Sequence, residues 1–170
     1  MFFMFSYGAN TNIRSMRDRC PTAKWCGTAT LPGYALRFRT HADIESSPDA
    51  AVHGVLWYID DEVLQALDHY EGYPYYYTRI TVKVWQDGEP MQALVYVMND
   101  QSWEDLPSKD YLLGCQEGYI SSNVPVDQID AALAHVKLNP QWNPIFNRME
   151  KTAAQEFGDS ILKAEYYDQG

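Results

Sequence analysis

Glu71 stands among five tyrosines in DHYEGYPYYY, residues 68–77, three positions after Asp68. An acid inside an aromatic, water-poor surround loses stability in its charged form, so its pKa rises toward the range where it can both take and give a proton near neutrality. Its place at the end of a helix closed by Gly72 pushes the same way, because a helix C-terminus carries negative partial charge. Taken alone, the stretch fits three descriptions: ordinary core, a stacking platform for bases, or the wall of a pocket. A second candidate is Tyr7-Gly8-Ala9-Asn10, directly after an apolar run at residues 2–6. A glycine turn at a strand end can aim successive backbone N–H groups at one anion, although a plain strand-to-helix turn has the same residues.

Other chemistries find less support. His41, His53, His69 and His135 are scattered without metal-ligand spacing, and no paired Cys/His pattern occurs. There is no GxSxG elbow for a hydrolase serine and no phosphate-cradling GxxxxGK[ST] or GxGxxG. Cys115, in LGCQEGY, is a nucleophile only if its thiol is activated; a small buried helical thiol is the plainer reading.

Several elements must hold these residues. Residues 2–6 read as a short buried strand, and a helix from Thr11 or Asn12 covers Ile13, Met16 and Arg17 until Pro21 limits it. Tyr34, Leu36 and Phe38 alternate with Ala35, Arg37 and Arg39 as in a half-buried strand. The Asp, Glu, Ser and Pro of His41 to Ala50 read as a loop, followed by a strand over 52–59 interrupted at Gly54. Asp60 or Asp61 caps a helix bearing Val63, Leu64, Leu67 and Tyr70 at helical spacing. Strands over 78–86 and 91–98 are joined by the turn residues 87–90. Helices are expected over 108–117 and 125–137. The expected class is α+β: a small, mostly antiparallel barrel with flanking helices over residues 1–138. A C-terminal extension, 139–170, is expected to be helical and packed on the same domain.

The 170 residues carry a formal net charge of −10, are 46% hydrophobic and 14% aromatic. That is a globular composition with no basic face for a nucleic-acid backbone or an anionic membrane. Only Arg79 and Lys83 lie near the tyrosines, opposed by Asp68 and Glu71, which argues against single-strand stacking. The opening MFFMF is too short for a signal peptide or span, and no stretch approaches about 18 apolar residues. The sparse, odd set Cys20, Cys26 and Cys115 points to a reduced cytoplasmic chain.

In order along the chain, the segments resemble the gamma-glutamylcyclotransferase (AIG2-like) family. Its Y-G-S-N loop corresponds to Tyr7-Gly8-Ala9-Asn10, and its V-x-G-V-[VL]-W strand to Val52-His53-Gly54-Val55-Leu56-Trp57. An LD-x-x-EG helix end corresponds to Leu67-Asp68 and Glu71-Gly72, and the next strand to Tyr77 with Val82-Lys83-Val84. A later P-S-x-x-Y corresponds to Pro107-Ser108 and Tyr111, with Gly114 beyond. The match spans roughly residues 3 to 137, and five short motifs in order and spacing are more specific than any one. The resemblance implies a barrel with one pocket at its mouth and a reaction in which the α-amine of a γ-glutamyl amide attacks its own side-chain carbonyl. The products are 5-oxoproline and a free amine.

By that resemblance Glu71 is the general acid/base. Tyr7, Gly8, Ala9 and Asn10 receive the substrate α-carboxylate or the developing oxyanion, and Tyr77 and Tyr111 line the pocket. No cofactor or metal is implied, and the partner is a small γ-glutamyl compound acted on by a monomer or homodimer. The chain departs from the family at Ala9, where the motif has serine. One hydroxyl donor is thereby lost, which opens the alternative of a non-catalytic small-molecule-binding module with the same pocket. Tyr73, Tyr75 and Tyr76 are extra aromatics expected to bear on substrate choice.

Overall fold

The computed structural model describes residues 1–138. The expected extension 139–170 lies outside the described residues. β1 (Phe2–Ser6) runs into a single 3₁₀ turn (Ala9–Thr11) and α1 (Ile13–Arg19). Next come β2 (Lys24–Arg39), β3 (His41–Ile59) and α2 (Asp61–Glu71). β4 (Tyr77–Gln86), β5 (Glu89–Met98), α3 (Lys109–Ser122) and α4 (Asp127–Leu138) complete the described chain. The five strands close into a barrel in the order β1-β3-β2-β4-β5. All neighbours are antiparallel except β1 and β5, which meet in parallel at Met4 and Leu94. The expected mostly antiparallel barrel with flanking helices is therefore the fold.

Two stretches of ten residues depart from the expected elements: β2 begins at Lys24 rather than Tyr34, and His41 to Ala50 is strand. The latter residues are not a loop but the first half of β3, paired with β2 from Arg39↔His41 to Tyr34↔Ser46. Composition misled because Asp43 and Glu45 look solvated, yet each has a positive partner on the opposite strand. Asp43 is wholly buried and accepts from Arg39 Nη1 (2.9 Å), Gln101 Nε2 (2.7 Å) and the Met98 amide (2.9 Å). Glu45 accepts from Arg37 Nε (2.7 Å) and Arg39 Nη2 (2.8 Å). Buried charges held this way are tolerated in a strand, and Ala42 and Ile44 turn into the core between them. Only the register break between Pro32 and Tyr34, opposite residues 47–50, keeps a loop character.

Gly54 does not interrupt β3. It allows β1 to cross close by, since a Cβ there would stand 2.2 Å from the Ser6 carbonyl oxygen and 2.8 Å from the Phe5 ring. α2 starts where Asp60 accepts from the Val63 amide at 2.9 Å. It ends at Gly72, whose φ of 65° is the left-handed cap that lets Tyr73 N–H return to Asp68 C=O at 2.9 Å. The β4–β5 hairpin turns on Asp87 and Gly88 alone, so Glu89 and Pro90 belong to β5. Val63 and Leu67 of α2 are buried, as are Trp57, Phe5 and Phe38 within the barrel. Each such side chain contributes roughly 1.5–3 kcal/mol. This core fixes where the β1 turn, the end of α2 and the start of β4 come together.

Candidate active site

Where β1 leaves the barrel, the chain has no further strand partner and is pinned by side chains instead. Tyr7 is buried; its hydroxyl donates to the Tyr96 carbonyl on β5 at 2.7 Å, and its own carbonyl accepts from the Tyr119 hydroxyl on α3 at 2.6 Å. Thr11 N–H and Oγ1 both return to the Gly8 carbonyl, at 3.0 and 2.8 Å, which closes the 3₁₀ turn. A turn closed there leaves the Ala9 and Asn10 N–H groups without an acceptor inside it. The Asn10 carbonyl accepts from Trp57 Nε1 at 3.0 Å, so the barrel wall holds this loop from below.

Glu71, the last residue of α2, faces that loop. Its Oε1 accepts from Asn10 Nδ2 at 2.7 Å, while Asn10 Oδ1 accepts from Arg19 Nη1 at the end of α1. Burial lifts the Glu71 pKa from 4.5 to about 7, against the Asn10 hydrogen bond and the Arg19 charge, which both favour the carboxylate. Burial is the leading cause, more than the helix end that the sequence also suggested. A carboxyl at this value is about half ionised at neutral pH, which suits a group that must accept and donate in one cycle.

The acid and the loop border one cavity of about 220 Å³. Tyr7, Gly8, Ala9, Asn10, Glu71, Tyr77 and Tyr111, all expected from the sequence, line it together. The hydroxyls of the tyrosines are partly engaged with the wall itself. Tyr77 donates to the Ala42 carbonyl at 2.8 Å, and Tyr111 accepts from the Ala42 amide at 3.0 Å. Burial raises the pKa of Tyr7, Tyr77 and Tyr111, so all three stay neutral phenols.

His41 and Ala42 also line the cavity from the start of β3, and the polar, loop-like composition of that segment hides them in the sequence. His41 packs edge-on to Tyr111, with ring centroids 4.8 Å apart, and burial lowers its pKa. Tyr96 on β5 was also missed; its hydroxyl donates to Asp68 Oδ1 at 2.8 Å. Of the extra tyrosines, Tyr76 reaches the cavity together with Tyr70, whereas Tyr75 is 90% exposed and Tyr73 packs under Arg79. Cys115 has its thiol pushed up to about 12 by burial, which removes it as a nucleophile.

The histidines are not all isolated, as the sequence suggested. Glu45, Glu104 and His135 bring one ligand atom each within 4.8 Å of the others. Arg37 and Arg39 occupy both oxygens of Glu45, so two positive charges already fill the place a cation would take.

A profile of the family "Gamma-glutamyl cyclotransferase, AIG2-like" matches residues 4–113, more than half of the chain and all of the cavity wall. The chain belongs to this family. No curated protein sequence matches it at a significant level. Among solved structures, an uncharacterized protein from Homo sapiens is 28% identical with a TM-score of 0.68, covering 78% of this chain and 86% of that one. A gamma-glutamyl cyclotransferase is 24% identical with a TM-score of 0.68, covering 89% of this chain and 98% of that one. YkqA from Bacillus subtilis is 21% identical with a TM-score of 0.68, covering 82% of this chain and 55% of that one. At 24% and 21% identity, the latter two establish the gamma-glutamyl cyclotransferase fold and nothing about activity. No helix among the described residues is long and apolar enough to cross a membrane.

Proposed function

We propose that the cavity closes a γ-glutamyl amide onto itself, releasing 5-oxoproline and a free amine, with Glu71 as the single proton carrier. The observation that carries this reading is Glu71 itself: a carboxyl at the floor of a small cavity, oriented by Asn10 and raised to about 7.

The α-nitrogen of the substrate starts as an ammonium and ends as a lactam N–H, so it sheds two protons. The leaving nitrogen starts as an amide N–H and ends as an ammonium, so it gains two. Glu71 takes a proton from the α-nitrogen, which attacks the γ-carbonyl carbon and turns its oxygen into an oxyanion. The carbonyl reforms as the C–N bond to the leaving group breaks, and Glu71 returns the proton to the departing nitrogen. It then takes the second proton from the ring nitrogen and passes it to the released amine, which leaves as an ammonium. No electron changes hands and no water is consumed, so the balance closes without a cofactor. Both reacting groups belong to one molecule. The protein's main contribution is therefore to fold the substrate until amine and carbonyl meet. Backbone N–H groups of the Tyr7–Asn10 loop are the candidates for the α-carboxylate or the oxyanion, and the Tyr77 and Tyr111 rings bound the space.

The setting fits an enzyme of the cytoplasm, acting as a monomer or homodimer on a small γ-glutamyl compound; all three cysteines are free. Incubation with a panel of γ-glutamyl amino acids and amines, followed by mass spectrometry, tests the reading. Wild type should release 5-oxoproline from at least one, and Glu71→Gln from none. Full turnover by the Gln variant sinks the mechanism. Ala9, in place of the family serine, favours a second reading, a binding module without turnover. Thermal stabilisation by a panel compound that stays intact would decide for it.

A further inference from the structure

Arg19 is absent from the cavity wall, yet it is tied to the acid at its floor. Its guanidinium donates from Nη1 to Asn10 Oδ1 and lies over the Tyr70 ring, 3.4 Å from the centroid. Tyr70 precedes Glu71 on α2, so one arginine at the end of α1 grips both the loop and the helix that carry the site. An arginine can only donate, so the atom of Asn10 facing it must be the amide oxygen. Asn10 Nδ2 is thereby committed to the other side, where it donates to Glu71 Oε1 at 2.7 Å. Rotated by half a turn, the same side chain would set its oxygen against the carboxylate.

We propose that Arg19 is the positioning residue of this site: by fixing which end of the Asn10 amide faces Glu71, it holds the carboxylate toward the cavity and stabilises its ionised form. The role is distinct from contact with substrate and rests on Glu71 being the proton carrier. Two interactions serve it. The guanidinium charge acts through a polarised amide, and the flat stack on Tyr70 restrains the arginine so that the charge stays in place.

Other groups facing Glu71 leave its titration clear. Tyr7 on the loop, Tyr77 on β4, Tyr96 on β5 and Tyr111 on α3 are all held neutral by burial, well beyond the neutral range. His41 on β3 has its pKa lowered by burial, which favours its uncharged form. Asp68, one turn back on α2, is paired with Arg79 at 3.3 Å and accepts from Tyr96, and Asp43 on β3 is paired with Arg39. Around pH 7, Glu71 changes charge within one hydrogen-bonded amide of the Arg19 guanidinium.

The test is a carboxyl carbon NMR titration of Glu71, assigned by loss of its signal in Glu71→Gln, in wild type, Arg19→Met and Arg19→Lys. Arg19→Met keeps the stem and removes the charge and the donor; its midpoint should rise by about one pH unit. Arg19→Lys keeps the charge without the planar stack and should fall between the two. A wild-type midpoint in Arg19→Met overturns the proposal. If that variant does not fold, Asn10→Asp takes over. It keeps the Arg19 contact but turns an oxygen toward Glu71, and an unchanged midpoint there overturns the relay. With a turned-over substrate in hand, the acid limb of kcat/KM should move with the midpoint while KM stays within about twofold, a split that mere loosening of the fold would not produce. The titration needs no substrate. A wild type that releases no 5-oxoproline would thus refute the cyclisation and leave the role of Arg19 separately decided.

Discussion

Substitution of Glu71 by Gln should make the protein more stable at alkaline pH while removing its chemistry. In the folded chain burial holds the Glu71 carboxyl at about 7, against an ordinary 4.5. A native pKa above the unfolded one means that the folded state binds the proton more tightly. The associated stability is fully present below about pH 4.5 and is lost as pH rises through about 7. A displacement of this size corresponds to about 3 kcal/mol, and water at the cavity mouth screens part of it, so we expect about 2–3 kcal/mol. Gln keeps the shape of the protonated acid and an oxygen for Asn10 Nδ2, but has nothing to ionise.

Urea unfolding of wild type and Glu71→Gln from pH 4.5 to 9 measures the difference directly. The two curves should nearly coincide at the acid end and separate between pH 5 and 8, with the Gln variant more stable above. Other titrating groups, including Asp43 and His41, occur in both proteins and cancel in the comparison. Curves that stay parallel over the whole range would refute the reasoning, because they would mean that Glu71 ionises in the folded protein as easily as in water. Loss of 5-oxoproline release in the same variant, with higher stability, would show that the charge is retained against the interest of the fold.

Gly8→Ala places a Cβ 2.9 Å from that of Ala42 and 3.1 Å from the Tyr111 hydroxyl. Crowding of this kind costs about 1–3 kcal/mol and narrows the cavity, so thermal stability and ligand affinity should fall together. Arg39→Met leaves Asp43 buried without its cation, and urea titration should show a loss of about 3–5 kcal/mol at pH 7. That loss should shrink toward acid pH, where Asp43, already raised by burial, takes up a proton. Tyr76→Leu should alter the ranking of γ-glutamyl substrates by kcat/KM, whereas Tyr75→Leu, at a 90% exposed position, should leave it as in wild type.

What the sequence made legible follows from how local each cause is. The caps at Asp60 and Gly72 and a turn at Asp87-Gly88 depend on neighbours in the chain and appear as expected, although Glu89 and Pro90 join β5. Of the alternation from Tyr34 to Arg39, Leu36 and Phe38 are buried as expected, but Arg39 is buried as well. Glu71 and the Tyr7–Asn10 loop are legible as candidates because both lie at element ends, where backbone geometry constrains residue choice. The misreading of residues 41–50 has the opposite cause. Asp43 and Glu45 look like loop residues until Arg37 and Arg39 pair with them across the sheet and Gln101, 58 positions from Asp43, donates to Asp43. With that strand went His41 and Ala42, and with Ala42 the reason the Tyr77 and Tyr111 hydroxyls point where they do. Arg19 was invisible on similar grounds: as one of several arginines on a short helix, it gains meaning only when α1 and α2 are seen to meet at Asn10. The candidate acid and loop carry a signature of their own in the sequence, whereas the residues that hold them do so only through their partners. A single-residue substitution aimed at the acid therefore tests what the sequence suggested, and one aimed at Arg19 tests what only the fold could add.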